Sequence, residues 1–317
     1  MMHKEETIIY LDRNENQYGP APACFNALKA DNFKNLSEYS RDFTRGLKSL
    51  LSEKLSNDFG VPEKNVMLGY GGEDILKQAV HCYIGKGDKI MIPSYSWWYY
   101  KKIADEKEGI KIEYPIVEGE DSFYYDIDGM LKIYEEQKPR LVLISSPNNP
   151  TGNRLEIDQL KMILRKMKDA VVVVDEAYAL FYNNDHSHLK DIINEFPNVL
   201  IIRTFSKYYG LAGIRIGFVL MGDNHAAFSM FSARYLGYNR LSEQIAIAAL
   251  DSNEYYEDMR NKMIADTETY LKEFNKLEGF KAYKSYSNFI LVKIPAEIRD
   301  SLKKYLTERN MIVKFMA

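Results

Sequence analysis

Lys207 stands in the run Arg203-Thr204-Phe205-Ser206-Lys207, eight residues before Arg215. Upstream lie Asp175-Glu176-Ala177-Tyr178 and, further up, Ser146-Pro147-Asn148-Asn149-Pro150-Thr151-Gly152. An amine, a carboxylate, a phenol, an amide and a guanidinium thus each follow a run that reads as a strand. A deprotonated lysine condenses with aldehydes, and a guanidinium fork with a hydroxyl suits a phosphate. This is equipment for holding pyridoxal 5'-phosphate as a Schiff base, which confines the chemistry to the alpha carbon of an amine or amino acid.

Positioning such groups needs a scaffold, and beta-branched runs supply one. Candidate strands are Asn65–Leu68, Lys89–Ile92, Ile110–Tyr114, Leu141–Ser145, Val171–Val174, Val199–Arg203 and Ile216–Met221. Between the fourth and fifth, Leu160, Ile163, Leu164 and Met167 recur at i, i+3, i+4, i+7, one apolar stripe of a helix lying on a sheet. The alternation implies an α/β fold with a mainly parallel sheet covered on both faces. In such a sheet ligands gather at the carboxyl ends of the strands, which is where Asn149, Asp175 and Lys207 fall.

Beyond about residue 240 the pattern changes. Tyr256, Met259, Met263, Tyr270, Phe274 and Leu277 fit one long amphipathic helix. A strand over Asn288–Ile294 follows, then a helix with Ile298, Leu302, Tyr305 and Leu306 on one face, then a strand over Met311–Phe315. The expected organisation is an arm over residues 1–40, broken by Pro20 and Pro22. A large cofactor-binding α/β domain over 41–240 and a smaller α+β domain over 241–317 follow.

Bulk properties exclude several classes. A formal net charge of -3 gives no reason to expect nucleic acid or an anionic membrane as partner. Cys24 and Cys82 are the only cysteines, in no metal or redox spacing, so no disulfide framework is expected and the reducing cytosol is the better home. The stretch Met1-Met2-His3-Lys4-Glu5-Glu6 has neither the apolar core nor the cleavage site of a leader. No apolar run approaches the ~18 residues that span a bilayer, so a soluble protein is expected. Asp185, His186 and His188 lack a further ligand at supporting spacing, and their Asn183-Asn184 context reads as a loop, so no metal is expected.

From Leu11-Asp12-Arg13-Asn14-Glu15-Asn16 to about Phe315, the chain resembles the fold-type-I pyridoxal-phosphate aminotransferases. Within them it is most similar to the histidinol-phosphate aminotransferase group and its threonine-phosphate decarboxylase relatives. The motifs carrying this are Ser146–Gly152, Asp175–Tyr178 and Thr204–Phe218. The resemblance implies a seven-stranded sheet flanked by helices, with a smaller α+β domain, and a homodimer. It makes Lys207 the residue that carries the cofactor covalently, with Asp175 on the pyridine nitrogen and Asn149 and Tyr178 on the ring's 3' oxygen. Thr204, Ser206 and Arg215, with the backbone of Gly71, Gly72 and Glu73 at a helix start, are implied for the phosphate. Tyr95 would stack on the ring, whereas Trp97-Trp98-Tyr99-Tyr100 reads as helix packing. Tyr39 would reach the cofactor of a partner subunit, although the family's Tyr-Pro-Asp is here Tyr39-Ser40-Arg41. Tyr18 would approach the substrate's tail.

Singly, most of these signals have plain alternatives. A lone lysine is ordinarily a surface cation, a strand-end aspartate a turn cap, Asn-Pro a turn, and Tyr95 a packed core residue. In the resembled family a later strand carries an arginine that clamps the substrate carboxylate; no residue up to Ala317 inherits it by position, and the small domain is expected to be shortened. The implied activity is transamination of an amino acid or phosphorylated amine. Decarboxylation of a phosphorylated amino acid uses the same constellation, and a non-catalytic binding module of the same fold is the reading from another class.

Overall fold

The computed structural model describes residues 8–29 and 35–316. Seven strands build the central sheet: β1 Val66–Gly69, β2 Lys89–Pro93, β3 Ile110–Tyr114, β4 Leu141–Ser145, β5 Val171–Asp175, β6 Val199–Thr204 and β7 Gly217–Met221. Their spatial order is β1-β7-β6-β5-β4-β2-β3. Pairing is parallel from β6 through β5, β4 and β2 to β3. β7 runs antiparallel to both its neighbours, β1 and β6. Every residue of β4, β6 and β7 is buried, which explains runs such as Leu-Val-Leu-Ile and Val-Leu-Ile-Ile without polar alternation. The two-residue period divides them between faces: Val172, Val174 and Ile201 pack into one core, Val173, Leu200 and Ile202 into the other.

The helix expected from the 160–167 stripe spans Ile157–Lys166, opened by a reciprocal Glu156–Gln159 capping box. A long helix spans Asn253–Phe274 and buries Tyr256 and Met259, whereas Tyr270 is exposed. Leu277, expected on it, lies past its end, ahead of a left-handed Gly279 (φ 78).

Three expectations need correction. Pro22 starts a short helix, Pro22–Asn26, at the position where a missing N–H is harmless. That helix sends Cys24 into the core beside Ala21, so this part of the arm is anchored. The strand expected over Asn288–Ile294 is only Val292–Lys293, paired with Lys281–Ala282. Side chains take the ladder's place before it: Ser285 and Ser287 bond at 2.7 Å, and Asn288 donates to the Asn14 carbonyl at 3.1 Å. The strand expected over Met311–Phe315 is only Met311–Ile312, which pairs in parallel with Ile9–Tyr10. This pairing stations residues 11–15 and 313–316 over the carboxyl edge of the sheet. Among the described residues, no helix is long and apolar enough to cross a membrane.

Candidate active site

Ser145 ends β4 and leads into a loop locked by its own side chains. Asn148, fully buried, donates to the Tyr95 carbonyl at 2.8 Å and to Thr151 Oγ1 at 2.6 Å. Gly152 closes the turn at φ 72, and an added Cβ would lie 2.3 Å from Ser285 Oγ, so only glycine fits. Thus fixed, Asn149 donates to the Tyr178 phenol at 3.5 Å, and Asn14 donates to the same oxygen at 3.1 Å.

Asp175 ends β5. Its Oδ2 accepts from the Tyr100 phenol at 2.7 Å and its Oδ1 from the Ala177 N–H at 3.1 Å. Burial pushes the carboxyl's pKa up, and these two hydrogen bonds oppose it. The adjacent Glu176 accepts from Arg203 Nε at 2.8 Å and lies 2.7 Å from its Nη2, with both side chains under a tenth exposed. This ion pair ties the end of β5 to β6 behind the cleft.

β6 ends at Thr204, whose hydroxyl donates to Ser206 Oγ at 3.0 Å and accepts the Ser206 N–H at 3.1 Å. Lys207 Nζ donates to the Arg13 carbonyl at 2.8 Å and sits 5.8 Å from the Tyr178 ring centroid. Burial lowers its pKa, opposed by Glu15 and Asp175 and assisted by Arg215. A larger fraction of neutral amine results, as carbonyl chemistry requires. Arg215 takes a left-handed conformation (φ 50), donates to Ser206 Oγ at 3.5 Å and to the Tyr70 carbonyl at 3.3 Å, and lies 3.8 Å from Glu73. Gly71 (φ 89) stands against it, since a Cβ there would come within 2.9 Å of Arg215 Nη2. Gly71 is also the N-cap of the helix Gly72–Tyr83 and has no side chain to cap it. That helix start, with its positive dipole end, faces the Ser206–Arg215 group.

These elements enclose a cleft of about 390 Å³ lined by Lys207, Asp175, Tyr178, Asn149, Thr204, Ser206, Arg215, Gly72 and Glu73. Of the residues singled out from sequence, four lie elsewhere. Gly71 backs Arg215 without lining the cleft. Tyr95 is 45% exposed and packs edge-on against Phe123 at 5.5 Å. The aromatic wall is Trp97 and Trp98, at the start of the helix Trp98–Asp105, where packing alone was expected. Tyr18 turns its hydroxyl to Asp266 at 2.8 Å, away from the cleft. Tyr39 is 65% exposed, its carbonyl accepting from Arg240 at 2.7 Å, and it lines no part of the cleft of its own chain. Asp185 caps the Ser187 N–H at 2.9 Å and His186 packs on Phe59 at 4.7 Å. The described residues hold no group of three or more metal-ligating side chains.

Three further residues went unread. Arg13 and Lys314 line the cleft from the paired terminal segments, and the Arg13 guanidinium lies 4.0 Å above the Tyr10 ring. Nothing in sequence unites two cations three hundred positions apart; only the Ile9–Tyr10 and Met311–Ile312 pairing does. Tyr100 belongs to a run whose pattern shows only helix packing, and it is the helix register that delivers its hydroxyl to Asp175.

Residues 6–315 match the family described as aminotransferase class I and II. The histidinol-phosphate aminotransferase of Thermoanaerobacter pseudethanolicus is 35% identical over 267 residues, 83% of this chain and 72% of that protein. Among solved structures, histidinol-phosphate aminotransferase from Sinorhizobium meliloti in complex with pyridoxal-5'-phosphate aligns with a TM-score of 0.84 at 23% identity, covering 97% of this chain and 82% of that one. L-threonine-O-3-phosphate decarboxylase from Porphyromonas gingivalis aligns with a TM-score of 0.78 at 20% identity, covering 96% and 88%. At those identities the structural likeness speaks to fold alone.

Proposed function

The chain belongs to the class I and II aminotransferases, and we propose that it moves an amino group from an amine with an acidic tail, of the histidinol-phosphate type, to a keto acid. The observation carrying this reading is the convergence of Lys207, Asp175 and the Ser206–Arg215 anion pocket on one cleft.

Pyridoxal 5'-phosphate is the cofactor of such an enzyme, and the donor set fits it. Two hydroxyls, a guanidinium and an uncapped helix start at one end suit a phosphate. Asp175, half-buried, would hold the proton of the pyridine nitrogen, and Asn149 with Tyr178 would hold the 3' oxygen. When bound, the cofactor supplies an electron sink for the bond broken at the substrate's alpha carbon.

The protein's own groups do the rest. Lys207, its amine made neutral more readily by burial, takes the proton from the alpha carbon and returns one as acid. Trp97 and Trp98 wall the cleft and exclude water. Arg13 and Lys314, which also line the cleft, would meet the anionic tail of the substrate or the carboxylate of the keto acid. We further place this enzyme in the cytosol as a homodimer. Phe43 and Tyr235, both exposed and with ring centroids 5.8 Å apart, offer apolar surface that a second copy would cover.

The test supplies purified protein with pyridoxal 5'-phosphate, one donor out of histidinol phosphate, phosphoserine and phosphothreonine, and 2-oxoglutarate as acceptor. Keto product with stoichiometric glutamate is expected, with ping-pong kinetics. Carbon dioxide release without keto product would replace this reading with decarboxylation. Light scattering reads the oligomeric state, for which a monomer would refute the dimer.

A further inference from the structure

Tyr100 is 1% exposed, lies in the helix Trp98–Asp105, and donates its phenol proton to Asp175 Oδ2 at 2.7 Å. A buried phenol needs a hydrogen-bond partner, and this one has taken the carboxylate that faces the cleft. The other carboxylate oxygen is held by the Ala177 N–H. We propose that Tyr100 is a positioning residue for Asp175: it fixes the carboxylate's orientation toward the cleft and keeps it ionised, so that Asp175 meets the cofactor's ring nitrogen as a preset anion.

The physical case is one of competition. Burial alone favours the neutral carboxyl, and the nearby Glu176 charge adds to that. A neutral carboxyl would offer the ring nitrogen no charge to stabilise its proton. Hydrogen bonds from Tyr100 and Ala177 favour the ionised form, and the Lys207 charge does the same from further away. The phenols of Tyr125 and Tyr178 also face Asp175; burial holds both in the protonated form, so they bring no competing charge. Of these groups, only Tyr100 combines a charge-assisted bond with a rigid helix as its base. It also weakens Asp175 as a base, since an oxygen already accepting a proton shares less density with a second donor.

The inference rests on Asp175 as partner of the ring nitrogen, and the experiment separates the two ideas. Tyr100→Phe keeps the ring and its packing. In the protein without cofactor, infrared difference spectra against Asp175→Asn would show the Asp175 carboxyl protonating at a pH roughly one to two units higher than in wild type. With pyridoxal 5'-phosphate added, the acid limb of its affinity moves upward by a similar interval, while above that limb affinity falls only by the smaller, pH-independent factor of the lost orientation. In an Asp175→Asn background, Tyr100→Phe moves neither readout. An equal loss of affinity at every pH, or an unmoved carboxyl signal, would reduce Tyr100 to packing and overturn the inference. Should Asp175→Asn leave the affinity profile of wild type intact, the role of Asp175 itself falls, whichever way the infrared result turns out.

Discussion

The Arg203–Glu176 pair offers the sharpest test of how the site is held. The two side chains are 6% and 9% exposed, with Arg203 Nη2 2.7 Å from Glu176 Oε2. At an effective dielectric near 20, unit charges at that separation attract by roughly 6 kcal/mol before desolvation is counted. Removing both charges is often close to neutral, because the gain and the desolvation cost largely cancel. Removing one is different, since the survivor stays buried without its partner. Glu176→Leu and Arg203→Met are each expected to lower stability by about 3–5 kcal/mol. The methionine retains packing on Phe59, whose ring lies 5.5 Å from the guanidinium. Glu176→Leu combined with Arg203→Met should lose no more than either single alone, giving a coupling of about 3 kcal/mol or more in a double-mutant cycle. Urea unfolding of the protein without cofactor reads all four corners. Single losses under ~1 kcal/mol, the range of exposed pairs, would refute the reasoning, as would a double variant that loses the sum. Because the pair joins the residues flanking Asp175 and Thr204, both singles should also weaken cofactor retention.

Other outcomes follow from the same site and its surroundings. Lys207→Met should lack the visible band of the lysine-bound cofactor while keeping its fold. Burial depresses the Lys207 pKa from 10.5, so the lysine's stabilising contribution is present only above that pH and lost as pH falls through the lower folded value. Without cofactor, Lys207→Met should therefore melt above wild type at pH 7, the gap closing toward alkaline pH; an identical gap throughout would contradict this. His225, 2% exposed and bonded to the Tyr83 hydroxyl at 2.7 Å, has its pKa pulled by burial from 6.5 to about 4. Its contribution is whole above pH 6.5 and drains away as pH falls through about 4, about 3 kcal/mol in all; His225→Gln should flatten that part of a stability–pH curve. Gly71→Ala would force a Cβ within 2.9 Å of Arg215 Nη2 at φ 89, so cofactor affinity should drop about tenfold or more with phosphate-free pyridoxal less affected; equal affinity would show that Arg215 adjusts freely.

The lining of the cleft was legible in sequence wherever it hangs on a strand end. Asn149, Asp175, Ser206 and Lys207 each follow a run of buried aliphatics, and a parallel sheet sends such ends to one side. Four kinds of information were absent. Strand direction was one: the Gly217–Met221 run reads the same either way, and only its register with Thr204 shows it antiparallel. Rotational phase was another, because Tyr95, Trp97, Trp98 and Tyr100 form one aromatic run whose members face the cleft or leave it according to where a helix begins. Short strands were a third: two-residue ladders at Val292–Lys293 and Met311–Ile312 are set by partners far away, so composition overextended them. Long-range pairing was the last, and it alone carried Arg13 and Lys314 to the cleft.

The reversed β7 has a practical corollary. Since Gly217 pairs with Thr204, the segment 204–217 is one closed hairpin bearing Lys207 and the Ser206–Arg215 group together. Segments 11–15 and 313–316 line the same cleft. On the proposed roles, retention of the coenzyme and choice of amine would therefore be encoded on separable stretches of polypeptide. Grafting residues 9–15 and 289–316 jointly from a homologue should retune selectivity while the hairpin, left untouched, goes on gripping its coenzyme.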